Sequence, residues 1–456
     1  MRKSSEVPFP SDSDHGHPLQ DVEVASALQR RFYRTIRETM RAMAGRLAGV
    51  AQWEAKKLLA RHIWLDAEHA DAIRQRVLEL RFPRVDVDLE VDKALTAALA
   101  KVPSTRSDAE FLAGVYRVIK PAVLNALQRY LGQSDRLDDA PSHRALRFVI
   151  EELQDQLHEF DTVWTLLPEN ERAQAGTWEA WLREALEEAG GVLGADSGKP
   201  LLARAGLSDR APYTIPTIPN RDARWLPAVT QVPPRPPRTP QEQQVWIAID
   251  HVNEVWASEL PGALIWNYKN MPWPLYRDTA RWAYDEMRHA MMGERRLLAY
   301  GFEVGVDVPM VPDHWMGVAA RGGLEAMLFV VHGLEQGGPK WKAQLKTDLW
   351  KMGDPSSAQD CDYDWADEAG HIRYGQQWIM ALFPNRPKVE IISRTEREVT
   401  LWKEWIAEKH ATGKHGYDTF LPRIEAKCRQ MPALAHPGHF APLGSSAATT
   451  SYGSGG

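Results

Sequence analysis

Asp285-Glu286-Met287-Arg288-His289 and Asp367-Glu368-Ala369-Gly370-His371 are the two stretches on which the reading of this chain turns. Each is Asp-Glu-x-x-His. Residues three apart on an α-helix project from one face, so each motif sets a carboxylate oxygen beside an imidazole nitrogen, a pair suited to one metal ion. The two glutamates are 82 positions apart (368 − 286), which places the copies on different helices. Two such helices form half of a bundle-core site for two metals, and the other half is one glutamate from each of two further helices.

Hairpin geometry says where those glutamates belong. Facing residues on two antiparallel helices lie at equal sequence distance from the turn, because both helices rise equally per residue. Glu254 and Glu286 have their midpoint at 270, inside the turn signal Lys269-Asn270-Met271-Pro272. Glu335 and Glu368 have theirs at 351.5, beside Gly353-Asp354-Pro355. Glu259 ranks second to Glu254, since it precedes Pro261 by two residues and lies off the Ile247-His251-Glu254-Ser258 stripe. Glu325 would put the turn inside a helix and is rejected. After Glu335 the run Gln336-Gly337-Gly338-Pro339 predicts a helix end.

Outward from the motifs, apolar spacing predicts helices over roughly 241–268, 274–301, 318–336, 358–383 and 394–409, and earlier over 25–47, 51–81, 108–131, 143–166 and 177–189. No strand pattern is evident. Residues 211–240 hold nine prolines, which no helix interior tolerates. The expected organisation is all-α: an arm at 1–24, a helical bundle at 25–195, a Pro-rich linker at 196–240, a metal-binding bundle at 241–431 and a low-complexity tail at 432–456.

Glu254, Glu286-x-x-His289, Glu335 and Glu368-x-x-His371 resemble the six ligands of the ferritin-like di-iron carboxylate superfamily. The surrounding residues, Trp256 after the first glutamate and Gly333-Leu334-Glu335-Gln336-Gly337-Gly338 around the third, are similar to an uncharacterised bacterial ferritin-like family related to the tRNA-hydroxylase type. That resemblance covers about 241–383. With helices repeating on each side of the Pro-rich linker, the chain reads as two four-helix bundles, and the resemblance implies that they are ferritin-like. It also implies two iron ions, or a manganese and iron pair, with dioxygen as co-substrate and Glu254, Glu286, Glu335 and Glu368 as the catalytic carboxylates. Bacterial multicomponent monooxygenases similarly carry an aspartate before each motif glutamate, and by that likeness Asp285 bonds the ring of His371 and Asp367 that of His289. The activity implied is oxidation of a small organic substrate with electrons from a reductase or ferredoxin. Ferroxidase or iron-handling activity and a metal-stabilised scaffold are the alternatives.

The first half looks like a worn copy. Asp66-Ala67-Glu68-His69 and Asp155-Gln156-Leu157-His158 repeat an Asp-x-x-His spacing, yet the same hairpin test pairs Asp66 with Phe32 or Tyr33 and Asp155 with Lys120. Without two more carboxylates a dimetal site lacks its bridging oxygens. The expectation is a structural bundle with these four residues near its axis and no dimetal centre. Composition closes off other classes. Fifty-five basic against sixty-one acidic residues give a net charge of −6, which argues against nucleic acid or an acidic membrane as partner. Two cysteines, at 361 and 428, form no Cys-x-x-Cys pair and fit a reducing compartment. With no signal peptide and no membrane span legible, a cytoplasmic protein, free to form a homodimer, is expected. Eighteen tryptophans outnumber tyrosines and phenylalanines and predict buried aromatic walls.

Overall fold

Helical spacing becomes helix along most of the chain. The structure, a computed structural model, describes residues 21–80, 87–88, 92–194, 210–225, 230–310, 314–336 and 338–440. Most of the expected arm, the end of the expected tail and parts of the expected linker lie outside these residues. Among those described there is no named strand, and the protein is all-α.

Two compact units make up the chain, and each is discontinuous. The first comprises residues 1–43 and 65–213, the second 44–64 and 214–456. Helices α1 (Val22–Arg46) and α2 (Trp53–Glu79) therefore contribute to both. The first unit continues with α3 (Lys93–Lys101), α4 (Asp108–Ala113), a π-helical turn at Gly114–Ile119, α5 (Lys120–Gln133), α6 (Ala140–Leu166) and α7 (Glu169–Glu188). α1 begins at Val22, inside the stretch expected to be arm, because the Asp21 side chain accepts from the Val24 N–H at 2.8 Å and caps it.

The second unit holds α8 (Pro240–Asn253), α9 (Val255–Asn267), α10 (Trp273–Ala299), α11 (Ala320–Glu335), α12 (Gly338–Met352), α13 (Pro355–Leu382), α14 (Lys388–Ala411) and α15 (Leu421–Cys428). α10 packs against α8, α9 and α13, and α11 against α9, α13 and α14. Trp256, Leu260, Trp315, Phe329, Val330 and Trp402 form the centre of its core. The two anticipated turns are real: Asn270 has φ 59° between α9 and α10, and Gly353 has φ 89° between α12 and α13.

Three helices, α3, α12 and α15, have no counterpart in the spacing expected from sequence. α3 is a short nine-residue helix that relies on Asp92, whose side chain accepts from the Leu95 N–H. α12 starts so close to the Gly337-Gly338-Pro339 break that the break reads as the end of helical structure rather than a joint. Proline early in a first turn costs no hydrogen bond, so a new helix can begin there.

Candidate metal centre

Four helical segments of the second unit carry the six expected ligands. Glu286 and His289 sit mid-helix on α10, and Glu368 and His371 mid-helix on α13. The other two carboxylates sit at helix ends. Glu254 occupies the joint between α8 and α9, where its N–H bonds the His251 carbonyl three residues back at 2.9 Å. Glu335 is the last residue of α11. Mid-helix side chains are held by their own turn, whereas terminal ones answer to fewer backbone bonds.

Gly293 brings α8 and α10 together. A Cβ at this position would lie 2.3 Å from the Val252 nitrogen and 2.6 Å from the Ala248 carbonyl oxygen, so only a glycine admits this approach. Glu254, just past Val252, is thereby held against Glu286 and His289.

All six side chains converge, and they are part-buried or buried. His289 Nδ1 is 3.1 Å from Glu254 Oε2 and 3.5 Å from Glu286 Oε2. His371 Nδ1 is 3.1 Å from Glu286 Oε1, 3.7 Å from Glu335 Oε1 and 3.8 Å from Glu368 Oε2. Glu286, Glu335, Glu368 and His371 offer ligand atoms within 4.8 Å of one another, and so do Glu254, Glu286 and His289. Glu286 belongs to both groups. Glu254 Oε2, Glu335 Oε2, Glu368 Oε2 and the Nδ1 atoms of both histidines are buried without a hydrogen bond. Buried polar atoms are seldom left so, and the chemistry of these five, carboxylate oxygens and imidazole nitrogens in two groups that share Glu286, suits metal cations.

Both imidazoles turn Nδ1 inward and Nε2 outward. The outer nitrogens meet the crossed aspartates: His289 Nε2 donates to Asp367 Oδ2 at 3.3 Å, and His371 Nε2 lies 3.6 Å from Asp285 Oδ2. Arginines anchor these acids. Arg281 Nε bonds Asp285 at 2.8 Å, and Arg288 reaches Asp285 at 2.7 Å and Asp367 at 3.1 Å. Trp282 donates its indole N–H to Glu286 Oε1 at 2.8 Å.

The charges follow from crowding acids in a buried space. Burial alone would push both imidazoles down. Asp364 for His289 and Asp285 for His371 lead the carboxylates that outweigh it and hold both rings well above the usual histidine value. Burial, with Glu368 beside it, pushes the Glu335 carboxyl well above the carboxylate range. Burial opposes ionisation of Glu286 too, but the two imidazoles facing it at 3.5 and 3.1 Å hold it below that range.

Two residues of the cluster, Asp364 and Lys342, are absent from the sequence reading, and a third, His251, entered it only as part of a helix stripe. Asp364 on α13 accepts from His251 Nε2 at 3.0 Å and lies 3.5 Å from His289 Nδ1. Lys342 on α12 donates to Asp364 and, at 2.8 Å, to Glu368 Oε1. The hairpin rule would have found this pair, since the midpoint of 342 and 364 is 353, the turn glycine. Glu259, the second choice, is fully buried in an ion pair with Lys56 at 2.8 Å and with Arg221.

In the first unit two of the four expected axial residues are elsewhere. Asp66 and His69 are buried, but Asp155 and His158 are exposed. α6 turns Gln156 inward instead, and Lys120 Nζ binds both Asp66 Oδ2 at 2.6 Å and Gln156 at 2.5 Å. His69 meets Glu152 at 2.6 Å. Every group of metal-ligating side chains found among the described residues belongs to the second unit.

Two cavities flank the cluster. One, of about 70 Å³, is lined by Glu254, Glu286, Glu335, Trp341, Lys342 and Glu368 among others. The other, of about 30 Å³, is mostly apolar: Leu264, Leu275, Trp282, Leu328, Ile379 and Leu382 line it, and it reaches Glu335 and His371. Tyr374 lies on this second wall, while Tyr284 stacks on Trp64 at 5.0 Å. No described helix is long and apolar enough to cross a membrane.

A family profile described as Protein of unknown function (DUF455) matches residues 169–418. No curated protein and no solved structure matches the chain.

Proposed function

The chain belongs to the DUF455 family, and from its buried cluster we propose that it is an O2-dependent non-haem dimetal oxidoreductase acting on a small organic substrate. One observation carries this reading: five inward-facing ligand atoms from Glu254, His289, Glu335, Glu368 and His371 are buried without hydrogen bonds around a shared Glu286. Glu286, Glu335, Glu368 and His371 would hold one ion, and Glu254, Glu286 and His289 the other. Carboxylates and imidazoles suit iron, or iron with manganese. Two such ions, when bound, would supply the electrons and the Lewis acidity that dioxygen chemistry needs, with an external donor restoring them.

The chain's own groups do the rest. Asp367 bonds the outer nitrogen of His289 and Asp285 faces that of His371, which leaves each inner nitrogen free to ligate, and Arg281 and Arg288 anchor the two aspartates. The small apolar cavity against Glu335 and His371 marks the side on which a carbon skeleton would approach the cluster. Glu335, at a helix end, can turn its carboxylate at less cost than a mid-helix residue. This cavity favours an organic substrate over iron storage, which requires none. In the same reading the second unit is a ferritin-like four-helix bundle, the first its worn copy, and the Pro-rich stretch the linker.

Elemental analysis of protein reconstituted anaerobically with iron tests the proposal. Two ions per chain are expected, with oxygen uptake that substrate-sized apolar compounds accelerate. Folded protein that retains no iron would overturn it.

A further inference from the structure

Lys342 makes the two halves of the cluster unequal. Its ammonium is buried and lies 2.8 Å from Glu368 Oε1 and 3.7 Å from Glu254 Oε1, with Asp364 as a third partner. Asp364 and Glu254 both face His289 Nδ1, at 3.5 and 3.1 Å. The lysine's contacts thus gather on the His289 side. On the His371 side it touches only Glu368, and there by Oε1, leaving Oε2 to face His371 Nδ1 at 3.8 Å without a hydrogen bond. Glu335, wholly on that side, has no contact with it among the ion pairs of the structure.

We propose that the two metal positions fill in order, the one built by Glu286, Glu335, Glu368 and His371 first, while the ammonium of Lys342 contests the position of Glu254 and His289. This rests on the dimetal reading above and deepens it. An ammonium and a dication a few ångströms apart repel strongly in a buried space, and both draw on Glu254 and Glu368. For the second ion to enter, the Lys342 ammonium has to turn away from Glu254, because both line one 70 Å³ cavity together with Glu286, Glu335 and Glu368. The first unit displays the arrangement carried to its end: Lys120 lies on Asp66 at 2.6 Å, fully buried, in a unit with no ligand group among its described residues.

The test is an anaerobic titration of the metal-stripped full chain with Mn(II), followed by calorimetry and by the spin-resonance signal of free ion. In the wild type the first equivalent should bind at least about tenfold tighter than the second, and K342M should tighten the second by at least about tenfold, a difference of one decade in Kd. E335Q should remove the tight equivalent and E254Q the weak one, which checks the order even if K342M does not fold. Equal affinities in the wild type, an unchanged second equivalent in folded K342M, or loss of the weak equivalent in E335Q would overturn the proposal. Wild type that binds no manganese and no iron would instead sink the dimetal reading beneath it.

Discussion

Replacing Gly293 with alanine should reverse the usual sign of a mid-helix Gly→Ala change. In an ordinary helix the substitution gains roughly 1 kcal/mol, because alanine loses less backbone entropy. Here the new Cβ would meet the Val252 nitrogen at 2.3 Å and the Ala248 oxygen at 2.6 Å. Comfortable contact needs about 3.5 Å, so α8 must retreat from α10 by about 1 Å at this level. Both obstacles are backbone and cannot swing aside. Overpacking of this kind costs about 1–3 kcal/mol, which at its upper end exceeds the propensity gain. The retreat also carries Glu254 away from His289, now 3.1 Å from it, and metal-ligand geometry tolerates only a few tenths of an ångström. Urea denaturation of the metal-free protein, with metal content measured separately, separates the two effects. The variant should be less stable than wild type and should bind the second ion weakly. A more stable G293A with full metal content would refute the argument that this close approach sets the site.

D367N should weaken metal binding chiefly at the His289 position and D285N at the His371 position, each by about 10–100-fold, since an amide is a weaker acceptor for the ring N–H than a carboxyl group and brings a competing donor; competition with a chelator reads this, and unchanged affinity would show the crossed pairs to be idle. K120M strands the buried Asp66 acid and should cost the first unit about 3–5 kcal/mol in urea, while K120M with D66N should recover part of the loss. Glu242 gives the pH dependence. Burial would raise its carboxyl, but hydrogen bonds from Arg235 and the Arg238 N–H outweigh this and hold it below the ordinary range. A carboxyl with its folded value depressed contributes stability above about pH 4.3, the unfolded value, and loses it as pH falls through the folded one. E242Q should therefore be less stable than wild type by about 1–3 kcal/mol near neutrality, with the gap closing in acid; a gap independent of pH would show that Arg235 does not act through charge.

The all-helical class was legible in the sequence because amphipathic spacing is a local property that each helix carries alone. The same holds for Glu286, His289, Glu368 and His371, whose three-residue spacing specifies a shared face before any tertiary contact forms. Glu254 and Glu335 needed one further step, the equal distance of facing residues from a turn, and Asn270 and Gly353 supply those turns. Asp155 and His158 had the same local pattern yet face solvent, because which side of α6 turns inward depends on its neighbours. The burial of Lys342, Asp364 and His251 in the cluster was decided by tertiary structure, although Lys342 and Asp364 lie at equal distance from the turn at Gly353. A lysine on an amphipathic helix is ordinarily exposed, and nothing in its own segment marks it as buried. Its burial is decided where α12, α13 and the α8–α9 joint meet, when Glu254, Asp364 and Glu368 together outweigh the cost of taking an ammonium out of water. Spacing names the residues that share a face, and only packing decides which faces meet and what charge must stand between them.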